Sequence, residues 1–222
     1  MFNKGIILRY GRIKSKKQLL HAFRHNNREF INPDSNINLA KTIENYSIGE
    51  FYSATEHMLQ FEKELDASNI KSVRSNAILA VEVLISVSVH LSEDDLQLFF
   101  IDCANWIKDY FNVPILSIDV HLDESNPHLH AILLPVLVSG KLNGHKLVGN
   151  IEKIRLAQKS LYDAVGKKFG LSNWAGDRKN KQELIHEVLQ RLKNDVVVES
   201  VAWPVILKDI KKNPHLFLGV LS

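Results

Sequence analysis

Residues 121–130 read HLDESNPHLH, which sets three histidines and two carboxylates in one ten-residue window. The window lies between two apolar runs, ILSIDV and AILLPV, each with the length and the Ile, Val and Leu content of a strand. With Glu124, Ser125, Asn126 and Pro127 as the turn, Asp123 opposes His128 and His121 opposes His130. Side chains alternate faces along a strand, so His128 and His130 share a face, and antiparallel pairing sets His121 beside them. Three neutral imidazoles meeting at one point can hold a divalent ion and still leave coordination positions for substrate oxygens. Asp123 and Glu124 are candidates to orient those rings, and Glu124 could add an oxygen ligand. The plainer alternative is a histidine-rich surface hairpin.

A second polar set lies on an expected helix. Ser15 followed by Gln18 is a capping-box pattern, opening a helix that runs to about Asn26 or Asn27. At about 100° per residue, Leu19, Leu20, Ala22 and Phe23 fall on one side, and His21, Arg24, His25 and Arg28 on the other. A solvated basic face is the ordinary reading. His21 and His25 at i, i+4 could bind a metal, although the Glu of a HExxH pattern is absent. A third reading is a nucleophile presented to DNA between phosphate-binding arginines.

The elements that must position these groups follow from pattern. Residues 5–13 read as a strand, 31–50 as a long loop, 54–66 as a helix capped by Ser53, and 77–90 as a central strand. Ser92 opens a helix with Glu93, Asp94 and Asp95 at its positive end. Its apolar stripe of Leu96, Phe99, Phe100, Cys103, Ile107 and Tyr110 faces a core. Residues 139–145 form a turn-rich connector, and Asn150 caps a helix over 151–169 that Gly170 ends. A polar stretch at 172–181 precedes a helix at 182–194, a strand-like VVVESVAW and a short final helix. The expected division is a domain of residues 1–181 and an appendage of residues 182–222.

Composition sets looser bounds. The chain has 222 residues, 45% apolar and 24% charged, ordinary values for a globular protein. A net charge of +3 and a pI near 8.8 permit nucleic-acid binding without arguing for it. Cys103 is the only cysteine, which excludes an internal disulfide and a Cys-based zinc site and points to a reducing cytoplasm. No apolar run approaches the length of a membrane span or of a signal-peptide core.

These residues together resemble the MobV (Pre/Mob) family of plasmid mobilisation relaxases, within the HUH endonuclease superfamily. The HLDESNPHLH window is similar to the family's HxDExxPHxH motif. ILRYGRIKSKKQLLHAFRHNNRE resembles its first motif, with Arg9, His25, Asn26 and Arg28 on the matching positions. Asn45 with Tyr46, VRSNAILAV containing Arg74, GKLNG at 140–144 and YDAVGKKFGL at 162–171 look like further family segments in the same order. Asn27 stands where members often have Glu, and the long helical extension of typical members is not expected within this length.

The resemblance implies an α/β (α+β) sandwich: a five-stranded, mostly antiparallel sheet flanked by helices, with the metal on one face and helices on the other. It implies nicking and rejoining of one DNA strand at an origin of transfer, by transesterification through a covalent 5′-phosphoryl–enzyme link. His121, His128 and His130 would hold the divalent ion, with manganese or magnesium foremost. His25 would be the nucleophile, with Tyr46 or Tyr52 as competitors, and Arg28 and Glu124 would assist catalysis. DNA contacts fall to Arg9, Arg24, Asn26, Tyr46, Arg74, Lys141 and Lys146. The partners are single-stranded or supercoiled plasmid origin DNA and a conjugative coupling protein. Two rivals remain: an origin-binding repressor without nicking activity, and a histidine–metal phosphodiesterase.

Overall fold

The computed structural model describes residues 5–31, 37–50, 52–70, 72–74, 76–88, 91–173, 181–193, 195–212, 214 and 217. Residues 1–175 and 176–222 form two compact units. The first contains β1 (Gly5–Ile13), α1 (Lys16–Asn26), β2 (Tyr46–Ser47), α2 (Ala54–Ala67), β3 (Ala80–Val87), α3 (Glu93–Phe111), β4 (Ile115–His121), β5 (His128–Leu133), α4 (Gly144–Val148), α5 (Ile151–Ala164) and β6 (Ser172–Asn173). The second contains α6 (Lys181–Leu192) and α7 (Trp203–Lys212).

The expected caps are present. Ser15 Oγ accepts from Gln18 N, Ser92 Oγ from Asp95 N and Asn150 Oδ1 from Lys153 N. Ser53 and Glu56 form a full capping box at the start of α2. Each bond satisfies an amide that the first helical turn leaves without a partner. After α5 the chain tightens into a 3-10 turn at Gly166–Phe169, which ends on Gly170 at φ +63°. That left-handed backbone favours glycine.

The sheet order is β2-β4-β5-β3-β1-β6, antiparallel except where β6 joins β1. Six strands therefore replace the expected five, because two-residue strands extend both edges. On one face Leu8, Val83, Ile85, Ile118, Val120, Leu129 and Ala131 meet Phe99, Phe100, Cys103 and Ile107 of α3 and Leu161 of α5 in the main core. On the other face Ile132 packs with Leu19 and Phe23 of α1 and Phe61 and Leu65 of α2. Helices thus cover part of both faces, whereas they were expected only opposite the metal site. The amphipathic stripes of α1 and α2 must be buried somewhere, and the main core is already filled by α3 and α5.

Three local expectations change. The histidine hairpin pairs His121 with His128 and Asp119 with His130, so its loop is two residues longer than the four-residue turn. A slip of two preserves side-chain parity, so the histidines still share a face. The 31–50 loop contains a 3-10 helix, Leu39–Glu44, and β2; residues 32–36 lie outside the described residues. VVVESVAW forms no strand: Val196–Glu199 is a 3-10 turn and α7 starts at Trp203. No strand pairs there among the described residues. Its Val197, Val198 and Trp203 pack instead on Ile185, Val188, Leu192 and Ile210, and side-chain burial overrides a weak β preference.

Candidate metal centre

Strand register assembles the site. One rung of the sheet carries Ser86, His128 and His121, and the next carries Arg9, Leu84, His130 and Asp119. The ring centroids of His121 and His128 are 5.1 Å apart, and His130 is 4.8 Å from each. His25, on the last turn of α1, lies edge-on at 5.7 Å from both His121 and His130. All three strand histidines are buried.

Hydrogen bonds set the tautomers. His121 Nε2 lies 2.9 Å from the Asn26 carbonyl and His128 Nδ1 lies 2.8 Å from the Asn126 carbonyl. Carbonyls only accept, so both nitrogens must carry the proton. His130 Nδ1 donates in the same way to Glu82 Oε1 at 2.9 Å. Lone pairs therefore remain on His121 Nδ1, His128 Nε2 and His130 Nε2. The first two face each other at 3.3 Å, and the third is buried without a partner. Facing lone pairs repel unless a cation lies between them. Donor atoms lie within 4.8 Å of one another in two sets, His25 with His121 and His130, and His121 with Glu124 and His128, and each suits a divalent ion. Outer hydrogen bonds that fix the tautomer are usual for such ligands.

Glu82 was missed in the sequence, although it left a signal as the one charged residue in AVEVLISV, β3. Burial alone would raise its pKa, but the His130 hydrogen bond and the surrounding histidines outweigh this and lower it. A Cβ at Gly11 would meet Glu82 Oε2 at 2.8 Å and Glu82 Cβ at 3.2 Å, so a larger residue there would press on the acid's side chain. Glu82→Ala should weaken manganese binding about 10–100-fold, as loss of an outer-shell partner does, when free Mn2+ is titrated by electron paramagnetic resonance. Unchanged affinity would show that Glu82 is a bystander.

Neither Asp123 nor Glu124 hydrogen-bonds an imidazole, but Glu124 groups with His121 and His128 as a candidate metal donor. Arg28 donates from Nε and Nη2 to Asp123 at 3.0 and 2.6 Å, and from Nη2 to Glu124 at 2.7 Å. Asp123 also accepts from Thr42 Oγ1, and its carbonyl accepts from Asn38 N. Glu124 Oε1 stays 3.9 Å from His121 Nδ1 and His128 Nε2, at the rim of the cluster. Arg28 is thus committed to carboxylates; it stands past the end of α1 at φ +56° and not on the helix face. His21 and Arg24 are exposed on α1, while His25 turns towards the centre.

The other expected site residues scatter. Arg9 shares the histidine face and is exposed. Asn26 is only 4% exposed, and its carbonyl accepts from His121 Nε2. Tyr46 pairs with Val120 on the opposite face, packed on the main core, and burial pushes its phenol up to about 12. Tyr52 donates to Glu50, which raises its pKa. Arg74 and Lys141 line a separate cavity of about 530 Å³ with Asn69, Ser72 and Asn143. Lys146 is exposed on α4.

Burial, then the neighbouring His130, lowers the pKa values of His25, His121 and His128, with His121 down to about 2. Between those values and the ordinary histidine value near 6.5 the unfolded chain binds protons that the folded chain refuses. Stability is therefore full above about pH 6.5 and falls as the pH drops below it. The urea midpoint of the metal-free protein should be lower at about pH 5 than at about pH 7.5, a range that brackets the histidine value. A flat profile across that interval would mean the rings accept protons in place.

Three buried histidines on an antiparallel sheet, with a fourth on an adjoining helix, make a candidate metal centre on an α/β fold. Solved structures share that fold. The MobM relaxase domain bound to plasmid pMV158 oriT DNA, Mn-bound at pH 6.8, gives a TM-score of 0.68 at 24% identity, over 82% of this chain and 98% of that one. The same domain on a 26-nucleotide oriT DNA gives 0.62 at 22% identity, over 79% and 95%. The chain belongs to the Mob_Pre family of plasmid recombination enzymes, which matches residues 2–188. Plasmid recombination enzyme type 1 of Staphylococcus aureus is 26% identical over 227 residues, 96% of this chain and 55% of its own length. The plasmid recombination enzyme of Streptococcus agalactiae is 27% identical over 148 residues, 63% of this chain and 30% of that protein. This chain thus spans about half the length, or less, of these curated relatives. No helix among the described residues is long and apolar enough to cross a membrane.

Proposed function

We propose that this chain is a plasmid mobilisation relaxase or its catalytic part, which nicks and rejoins one DNA strand at an origin of transfer through a covalent phosphohistidine at His25. The observation that carries this reading is the facing lone pairs of His121 and His128 beside the unpartnered Nε2 of His130, with His25 edge-on to two of the rings. Held by His121, His128 and His130, a divalent ion (manganese foremost, given the Mn-bound relatives) would draw charge from the non-bridging oxygens of the scissile phosphate.

The chain's own groups do the rest. Burial keeps His25 neutral, so a ring-nitrogen lone pair is available to attack phosphorus. A P–N bond forms, the P–O3′ bond breaks, and the 3′-oxygen leaves and takes up a proton from solvent. The 5′-phosphate remains on the imidazole. Attack by a 3′-hydroxyl reverses each change and releases His25. Arg28 acts indirectly, holding Glu124 at the open rim and, through Nη1, contacting the His25 carbonyl at 3.4 Å. Arg9, Arg24, Arg74, Lys141 and Lys146 would track the phosphates. Residues 1–181 would form the catalytic domain with 182–222 as its appendage, acting in the cytoplasm and delivering DNA to a conjugative coupling protein.

The test is a supercoiled plasmid carrying a matching origin, incubated with the protein and Mn2+. Open circles and a protein-bound 5′ end support the reading. Binding without nicking would favour an origin-binding repressor, and turnover without an adduct a phosphodiesterase. Arg74→Ala and Lys141→Ala should each reduce the log–log salt slope of DNA binding by about one. An unchanged slope for both would remove their cavity from the DNA path.

A further inference from the structure

His25 is placed as a nucleophile, and its position also suits a ligand. One donor atom from each of His25, His121 and His130 lies within 4.8 Å of the others, and His121, Glu124 and His128 form a second such set. Neither ring nitrogen of His25 has a hydrogen-bond partner among the described residues, whereas each strand histidine commits one nitrogen to an oxygen. Glu124 belongs to that second set; Arg28 holds its Oε1 at 2.7 Å, and the His121 and His128 ring nitrogens stand 3.9 Å from it.

We infer that His25 joins His121 and His130 as a ligand of a zinc-type ion, which masks the nucleophile. This rests on the three-histidine centre proposed above and adds a regulatory state to it. Neutral nitrogen donors suit Zn2+, whereas Mn2+ prefers oxygen and a larger coordination number. Zn2+ also binds nitrogen sites more tightly than Mn2+. With zinc the His25 lone pair is occupied and cannot attack phosphorus. With manganese the open positions go to water and phosphate oxygens, and His25 stays free. The ion present thus decides whether the nucleophile is available.

Co2+ is a visible reporter of such a site, since tetrahedral cobalt absorbs far more strongly than octahedral cobalt. The DNA-free protein loaded with Co2+ should give an intense visible band. His25→Ala and His25→Gln should each weaken that band several-fold and lower Zn2+ affinity about tenfold or more, at least the cost of losing an outer-shell partner. Their Mn2+ affinity should change less than about threefold, well short of that cost. Identical cobalt spectra and zinc affinities in wild type and both variants would overturn the inference and leave the three-histidine centre standing. Failure of the wild-type protein to bind Co2+, Zn2+ or Mn2+ at all would sink both. His128→Ala separates the two cases, because it should weaken manganese while zinc stays on His25, His121 and His130.

Discussion

His25→Ala should reduce covalent adduct formation on an origin oligonucleotide by about 10³-fold or more, the scale on which removal of a nucleophile acts, while noncovalent DNA binding stays within a few-fold of wild type. The reason is geometric. His25 is the one histidine near the centre whose nitrogens are not spent on positioning the others among the described residues. The competing tyrosines are poorly placed: Tyr46 is on the far face and Tyr52 is hydrogen-bonded to Glu50. Tyr46→Phe and Tyr52→Phe should therefore keep the adduct. The wild-type adduct should also be labile in acid, as a P–N bond is and a phosphotyrosine is not. An acid-stable adduct, or one retained by His25→Ala, would defeat the assignment.

Arg28→Ala should cost about 3–5 kcal/mol of stability, the penalty for leaving a buried charge without its partner. The Asp123 side chain is fully buried and that of Arg28 is 5% exposed, so water cannot replace the lost bonds. Folded domains are held by only about 5–15 kcal/mol, so the loss should be plain in a urea titration. Arg28 sits at φ +56°, where alanine is strained, so Arg28→Gly isolates the ion pair from the backbone. Arg28→Lys should not rescue, because an ammonium cannot reproduce the forked contact. Arg28→Gly with Asp123→Asn should recover part of the loss, since no buried anion then remains. A cost below about 1 kcal/mol for both single variants at Arg28 would place the pair among ordinary surface bridges. Burial acts to raise the Asp123 pKa, but the Arg28 hydrogen bonds prevail and hold it near 2, against 3.8. Its stabilisation is thus complete above the ordinary carboxylate value and is lost as the pH falls towards 2, a window well below that of the histidines.

Much of this was legible in the chain. The helix starts at Ser15, Ser53, Ser92 and Asn150 are local chemistry, decided within four residues. The co-facial histidines also follow from local parity, which survived a wrong turn length. The two-residue edge strands and the fate of VVVESVAW were not legible, because each depends on what partner is available. The acceptors for the histidine N–H groups were not legible for a related reason. Adjacency in sequence suggested Asp123 and Glu124, but the loop turns both towards Arg28, with Glu124 still in donor range of His121 and His128.

By itself, then, the amino-acid order determined which residues could bind a metal, which strands and helices carry them, and that the strand histidines lie on one face. Those properties depend on a periodicity of two or 3.6 residues and on caps, all short-range. Only the tertiary structure decided that Glu82, 48 residues from His130, and the Asn26 carbonyl, 95 residues from His121, fix the tautomers. It alone also put His25 against the centre and Tyr46 behind the sheet. A lone pair's direction depends on the hydrogen bond at the opposite ring nitrogen, and that partner comes from whichever distant segment packs there.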